Sequence, residues 1–265
     1  MSKLMMNILD KIVQKKKTEV AEAKHKVSLA ELEQCPLFGR DCFSLRESVL
    51  RPDRNGIIAE FKRASPSKGV INGRSAVREV VEAYQRAGAS AVSVLTDAGF
   101  FHGSLEDLAD ARQVLHVPLL RKDFVIDRYQ IAEAKAHGAD IVLLIAAILS
   151  PEEIRSLSGY AKTLGLNVLL EVHNEAELLP NLSDSIDAIG VNNRNLKDFS
   201  VDLAHSYDLV GKIPDRFVKV SESGISAPEI IRELKKAGFQ AFLIGENFMK
   251  TDDPGRAMAE FVVSS

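Results

Sequence analysis

IVLLIAAILSPEEIRSLSGYAKTLGLNVLLEV, residues 141–172, decides the fold. It opens on an unbroken aliphatic run, IVLLIAAI at 141–148, and closes on a second, NVLLEV at 167–172. Between them PEEIRSLSGYAKTLG starts on Pro151, places apolar residues at i, i+3 and i+4, and stops at a glycine. Proline is tolerated at the first helical position, and glycine just past the last turn caps a helix. The stretch therefore reads strand, helix, strand. Strands that are apolar on both faces belong to a parallel sheet covered by helices.

The same unit recurs outward in both directions. IIAEF at 57–61, SAVSVLT at 90–96 and PLLRKDF at 118–124 precede it, and AIGVNN at 188–193, FVKVSES at 217–223 and AFLIGE at 241–246 follow. Together the runs number eight, with starts 21 to 33 residues apart, room for one strand, one helix and two loops. VREVVEAYQRAGA, YQIAEAKAHGA and APEIIRELKKAGF supply more amphipathic helices that run into glycine, and Pro228 sits near a helix start. Eight such units predict an α/β fold, a closed (β/α)8 or TIM barrel. An open doubly wound sheet should carry a glycine-rich dinucleotide loop after its first strand. The segment there, KRASPSKG, has one glycine.

Ahead of the barrel, from Asn7 to about Lys26, the residues Ile8, Leu9, Ile12, Val13 and Val20 fall near helical spacing and predict an amphipathic helix that covers something. The basic run Lys15, Lys16 and Lys17 inside it reads as a solvated helix face. Residues 35–56, punctuated by Pro36, Gly39, Pro52 and Gly56, read as a linker with a short helix. The expected organisation is one barrel domain over 1–265: an N-terminal helical extension at 1–45, barrel strands and helices at 57–250, and a C-terminal helix at 251–265. DPGRAMAEFVVSS follows the eighth unit, so no second catalytic domain is expected.

The 265 residues are 46% hydrophobic and 27% charged with a net charge of −3, which gives no reason to expect nucleic acid or a membrane surface as partner. The N-terminus MSKLMMNILDKIVQKKK lacks a leader's apolar core and small-residue cleavage site, so a cytoplasmic chain is expected, with Cys35 and Cys42 as free thiols. The six histidines form no H-x-H or H-E-x-x-H pattern and there is no C-x-x-C, so no metal is expected.

Chemistry in such barrels lies at the carboxyl ends of the strands. Strand one ends in Glu60-Phe61-Lys62, strand three in Arg121-Lys122-Asp123-Phe124, strand five in Glu171, strand six in Asn192-Asn193 before Arg194, strand seven in Ser221-Glu222-Ser223, and strand eight in Gly245-Glu246. Alternation places Glu60 and Lys62 on one face, with Phe61 opposite as packing, and groups Lys122 with Phe124. One buried charge at a barrel mouth is often a structural ion pair. Five strands ending in ionisable residues point instead to proton transfer between ammonium groups and carboxylates. Ser223-Gly224 after strand seven and Gly245-Glu246 after strand eight fit a phosphate site, and Ser65-Pro66-Ser67 adds hydroxyl donors. His173, two residues beyond Glu171, is expected behind the site or facing solvent rather than in it.

At these residues the chain resembles the indole-3-glycerol phosphate synthase family of tryptophan biosynthesis over essentially its whole length. The most specific piece is IIAEFKRASPSKG at 57–69. SVLTD at 93–97, FFHGS at 100–104, LLRKDF at 119–124, VLLEVH at 168–173, GVNNRNL at 190–196, VSESGI at 220–225 and FLIGENFMK at 242–250 follow in the family's order. His102 departs from the family's usual residue and is assigned no role.

The resemblance implies a carboxy-lyase without a prosthetic group. It would turn 1-(2-carboxyphenylamino)-1-deoxyribulose 5-phosphate into indole-3-glycerol phosphate, carbon dioxide and water. It further implies Lys122 as the acid for ring closure and Glu171 as an acid/base. Glu60 with Lys62 would be the other catalytic pair, with Glu222 and Asn192 orienting the substrate, and which of them serves each step of the dehydration stays open. Phe124 and Leu143 would wall the aromatic ring. Arg194 is read as a contact to the carboxylate or ring side, since three glutamates and an anionic substrate call for three positive charges. The N-terminal helices would cap the substrate site, and a monomer or weak homo-oligomer is expected. Two other readings share the glycine loops: another phosphate-binding barrel such as a sugar-phosphate isomerase, and a non-catalytic barrel that binds a phosphorylated metabolite.

Overall fold

The computed structural model describes residues 8–195 and 198–264. Asn7, read as a helix start, and Leu196, the last residue of GVNNRNL, lie outside the described residues, as do 1–6, Lys197 and Ser265. Each apolar run forms one barrel strand: β1 (Ile57–Phe61), β2 (Ala91–Leu95), β3 (Leu119–Lys122), β4 (Ile141–Ile145), β5 (Asn167–Val172), β6 (Ala188–Asn192), β7 (Val218–Glu222) and β8 (Ala241–Ile244). Every strand lies parallel to its sequence neighbours, and β8 returns to β1 through Ile57↔Phe242, Ile58↔Leu243 and Ala59↔Ile244. The closed barrel that the spacing predicts is the architecture. A separate two-stranded hairpin, Ala64–Ser65 with Gly69–Val70, follows β1.

The helices are α1 (Ile8–Lys26), α2 (Leu29–Glu33), α3 (Leu45–Leu50), α4 (Val77–Arg86), α5 (Ala98–Phe101), α6 (Leu105–Val114), α7 (Arg128–Ala136), α8 (Pro151–Thr163), α9 (Glu175–Leu178), α10 (Ala204–Val210), α11 (Pro228–Ala237), α12 (Glu246–Met249) and α13 (Pro254–Val263). Pro151 and Pro228 occupy first-turn positions, as the sequence suggests. None is long and apolar enough, among the described residues, to cross a membrane.

Strand parity divides the core in two. Ile57, Ala59 and Phe61 of β1 pack outward against helices, while Ile58 belongs to the barrel interior with Leu120, Ile141, Leu143, Leu169, Val220 and Leu243. Phe61 is thus the packing residue its parity predicts. Burying each such aliphatic side chain stabilises the fold by roughly 1.5–3 kcal/mol. The short helix in the segment read as a linker has a definite place. Leu45 and Val49 of α3 join the interior cluster, the Leu45 N–H donates to Asn167 Oδ1 at 3.2 Å, and Ser48 Oγ donates to the Ser90 carbonyl at 2.5 Å. α3 therefore plugs the floor of the barrel, opposite the strand ends that carry charge.

α1 and α2 lie against the barrel's helical wall. Leu32 packs on Tyr129, Ala132 and Ala136 of α7, and the Tyr129 hydroxyl donates to the carbonyls of Ala23 and Val27 at 3.1 and 2.8 Å. The reading of Lys15–Lys17 as a solvated face is corrected at Lys16, which is 4% exposed. Its Nζ lies 2.6 Å from Glu19, 2.9 Å from Asp97 and 2.9 Å from Asp123. Its position explains this: Lys16 is four residues from both Ile12 and Val20, the buried apolar residues of α1, and shares their face. Burial opposes its charge, but the carboxylates around it prevail and raise its pKa above the ordinary lysine value.

Candidate active site

The barrel mouth opens into a cavity of about 660 Å³ lined by strand ends, the loops that follow them and the first turns of α1. Inward parity on four strands brings Glu60 (β1), Lys122 (β3), Glu171 (β5) and Glu222 (β7) together. The Lys122 Nζ lies 3.3 Å from Glu222 Oε2, 3.7 Å from Glu60 Oε2 and 3.9 Å from Glu171 Oε2. Lys62 joins from the end of β1, its Nζ 2.9 Å from Glu60 Oε1. Asn192 at the end of β6 donates from Nδ2 to Glu171 Oε1 at 3.0 Å, and its Oδ1 accepts the Arg194 N–H at 2.9 Å.

Backbone economy makes room for these carboxylates. A Cβ on Gly190 of β6 would sit 2.0 Å from Glu222 Oε1, and one on Gly245 would sit 2.6 Å from Glu60 Oε1. Asn193 locks β6 to β7: it is fully buried, donates from Nδ2 to Ser221 Oγ and to the carbonyls of Glu222 and Ser223, and accepts at Oδ1 from Ser206.

The cluster polarises its own members. Burial works against the Lys122 charge, but Glu222, Glu60 and Glu171 outweigh it and raise its pKa above the ordinary lysine value. Burial likewise pushes Glu60 up, and Lys62 with Lys122 more than reverses this, so its carboxyl titrates below the usual range. At Glu222 burial wins over Lys122 and, with Glu171 adding repulsion, pushes the carboxyl up to about 7. The site thus holds a protonated amine, an ionised carboxylate and a carboxyl that exchanges protons near neutrality, which is the equipment of acid–base chemistry.

The remaining predicted residues lie on the same rim. Ser223 and Gly224 take left-handed backbone at φ 68° and 79° where β7 turns away, and Gly245 with Glu246 opens α12 beside them. Arg194 places its guanidinium 3.5 Å from Glu246 Oε2, on the side of these two turns. Ser65, Phe124 and Leu143 line the cavity, with the Phe124 ring 6.1 Å from that of Phe101. His173 is half-buried behind Glu171, its Nδ1 3.2 Å from Glu177 Oε2 and its Nε2 3.7 Å from Glu171 Oε1.

Sequence reasoning did not single out Lys68, 3.8 Å from Glu246, or Phe101 as lining residues. Nor did it place Ile8, Leu9 and Ile12 individually in the cavity wall. The helical spacing of those apolar residues was the available signal; it said that α1 covers something without saying what.

Comparison with known proteins shows which family the chain resembles. The family profile described as indole-3-glycerol phosphate synthase matches residues 9–261. The indole-3-glycerol phosphate synthase of Bacteroides thetaiotaomicron is 48% identical over 97% of this chain and 98% of its own. That of Bordetella pertussis is 43% identical over 97% of this chain and all of its own. Among solved structures, 3-hexulose-6-phosphate synthase from Salmonella typhimurium superposes with a TM-score of 0.60 at 12% identity, covering 79% of this chain and 99% of that one. A chain of the Pyrococcus furiosus tryptophan synthase complex gives 0.59 at 16%, covering 79% and 96%. At those identities the two structures speak for the barrel fold alone.

Proposed function

The chain belongs to the indole-3-glycerol phosphate synthase family, and from that premise we propose how its barrel mouth performs the family's reaction. The enzyme is a carboxy-lyase of tryptophan biosynthesis. It closes the ring of 1-(2-carboxyphenylamino)-1-deoxyribulose 5-phosphate, releases carbon dioxide and eliminates water to give indole-3-glycerol phosphate. The observation that carries the residue assignment is the Lys122 ammonium set among three buried carboxylates, Glu222, Glu60 and Glu171.

Ring closure needs an aromatic carbon to attack a ketone while its oxygen gains a proton. Lys122, kept charged by its neighbours, donates that proton. Loss of the carboxylate as carbon dioxide restores the aromatic ring. Dehydration then needs an acid at the departing hydroxyl and a base at the proton that is lost. Glu171, Glu60 and Lys62 supply these transfers, and Glu222 and Asn192 hold the substrate hydroxyls. The phosphate sits against Ser223-Gly224 and Gly245-Glu246, with Ser65 completing that wall. Arg194 offers its charge to an anionic group of the substrate. Phe124 and Leu143 flank the aromatic ring, under a cap made by the N-terminal helices. In the same reading the chain works in the cytoplasm as a monomer or weak homo-oligomer, in keeping with free thiols at Cys35 and Cys42.

The chain contains no tryptophan, so the test is optical. Mixing enzyme with the carboxyphenylamino substrate is expected to produce indole fluorescence over a dark background. Absence of any rise at every pH tried, with phosphate binding intact, would return the chain to the isomerase-like or non-catalytic readings.

A further inference from the structure

We propose that His173 is the relay through which the site takes up the one proton that each turnover consumes, passing it from Glu177 at the solvent side to Glu171 and so to Lys122. The inference rests on the catalytic reading above. It begins with proton balance. Ring closure adds one proton to the ketone oxygen, and dehydration adds one to the departing hydroxyl and recovers one from carbon as the indole forms. The substrate's carboxylate enters as an anion and leaves as neutral carbon dioxide. No electrons are exchanged, and one proton must come from solvent for every product made. The carboxylates that transfer it are buried: Glu171 and Glu60 are each 3% exposed.

The structure offers a graded path for that proton. Glu177 on α9 has a side chain 22% exposed, and its Oε2 lies 3.2 Å from His173 Nδ1. His173 Nε2 lies 3.7 Å from Glu171 Oε1, and Glu171 Oε2 lies 3.9 Å from the Lys122 ammonium. Nε2 is buried and makes no hydrogen bond among the described residues, and the Glu171 carboxylate lies beside it. The outer station is fixed. Glu177 Oε2 accepts the His173 backbone N–H at 2.8 Å, Glu177 Oε1 accepts Asn174 Nδ2 at 3.0 Å, and Asn174 Oδ1 accepts the Glu177 N–H at 3.0 Å.

An imidazole held between two carboxylates can take a proton at one nitrogen and release one from the other, and a turn of the ring or exchange of its tautomer resets it before the next turnover. Burial disfavours the charged ring, but Glu177 and Glu171, with Glu222 farther off, raise its pKa above the ordinary histidine value. Both ring nitrogens are then protonated for part of the time at neutral pH, as a relay requires. His173 acts through Glu171 and is a positioning residue rather than a catalytic one. β5 sends Glu171 inward while Val172 packs outward, and His173, the first residue after the strand, turns its Nε2 back toward Glu171.

The test compares His173→Ala with the parent in indole-forming turnover. A relay predicts kcat about tenfold lower with KM little changed, and recovery as free imidazole is added. His173→Gln fills the same space and keeps a donor, but it cannot pass a proton, so it should be as slow as the alanine variant. Failure of imidazole to raise kcat in His173→Ala, a rise in KM at unchanged kcat, or near-parent kcat in His173→Gln would each overturn the relay. Glu171→Gln separates the two levels. If it turns over normally, the assignment of Glu171 itself is wrong; if it is inactive and His173→Ala is not rescued, the relay alone is wrong.

Discussion

Glu222 shows how a single carboxyl can be held near its titration point by two opposed neighbours. Its Oε2 meets the Lys122 ammonium at 3.3 Å, while burial and Glu171 push it toward neutrality and up to about 7. In the unfolded chain the same group titrates near 4.5. Between those values the folded state holds more protons than the unfolded one, so Glu222 makes stability fall as pH rises from about 4.5 to about 7. Thermal melts over that window should show a shallower decline in Glu222→Gln than in the parent. Asp123 behaves in the opposite sense. Burial works to raise it, but Arg121 and Lys16 hold its carboxyl at about 2, so its stabilising contribution is lost only as pH falls below 3.8. For catalysis, Lys122→Met and Glu171→Gln are each expected to lower kcat/KM by roughly 10²–10⁴, the range for acid–base groups, measured by indole fluorescence. Near-normal turnover in either would withdraw its assigned role. These residues were legible in the sequence because parity at the end of an apolar strand admits few readings of a charged side chain. Gly190 was not legible: only the packed barrel shows that Glu222 occupies the space a side chain there would need.

α1 is the element whose sequence was read correctly as a helix and incompletely as a surface. Lys16 lies on the buried face with Ile12 and Val20 and ties the helix to Asp97 beyond β2 and Asp123 beyond β3. Asp123 in turn accepts from Thr96 Oγ1 at 2.6 Å and pairs with Arg121 at 3.1 Å. Because Asp123 follows Lys122 directly, the clamp that docks α1 also fixes the backbone beneath the Lys122 ammonium. Three lysines in a row suggest solvent, and composition alone cannot reveal which of them faces carboxylates supplied by strands far along the chain. Lys16→Met leaves Asp97 buried without its cationic partner and Asp123 with Arg121 alone, a change expected to cost about 3–5 kcal/mol in stability. Since Ile8, Leu9 and Ile12 line the cavity, the same substitution should raise KM more than it lowers kcat. Thermal melts and steady-state kinetics read the two effects separately, and an unchanged KM would mean that α1 does not cap the substrate.

The whole molecule keeps its floor and its mouth apart. Leu45 and Val49 of α3 close the amino ends of the strands, and the charged cluster occupies the carboxyl ends. Leu45→Ala is therefore expected to destabilise the fold by about 2–5 kcal/mol while leaving KM unchanged, as denaturant melts and kinetics would show. The eight-fold rhythm made this architecture legible, since apolar run and amphipathic helix alternate with few interruptions. The plug was not, because Leu45–Leu50 is too short to announce what it packs against. Barrel closure carries a further consequence for how the protein is made. β1 finds one of its two partners only in β8, whose first residue paired with it, Phe242, lies 185 residues beyond Ile57. At the usual pace of translation roughly ten to forty seconds separate their synthesis. Until that interval has passed β1 lacks one of its two neighbours, so the barrel cannot close before its last strand is made.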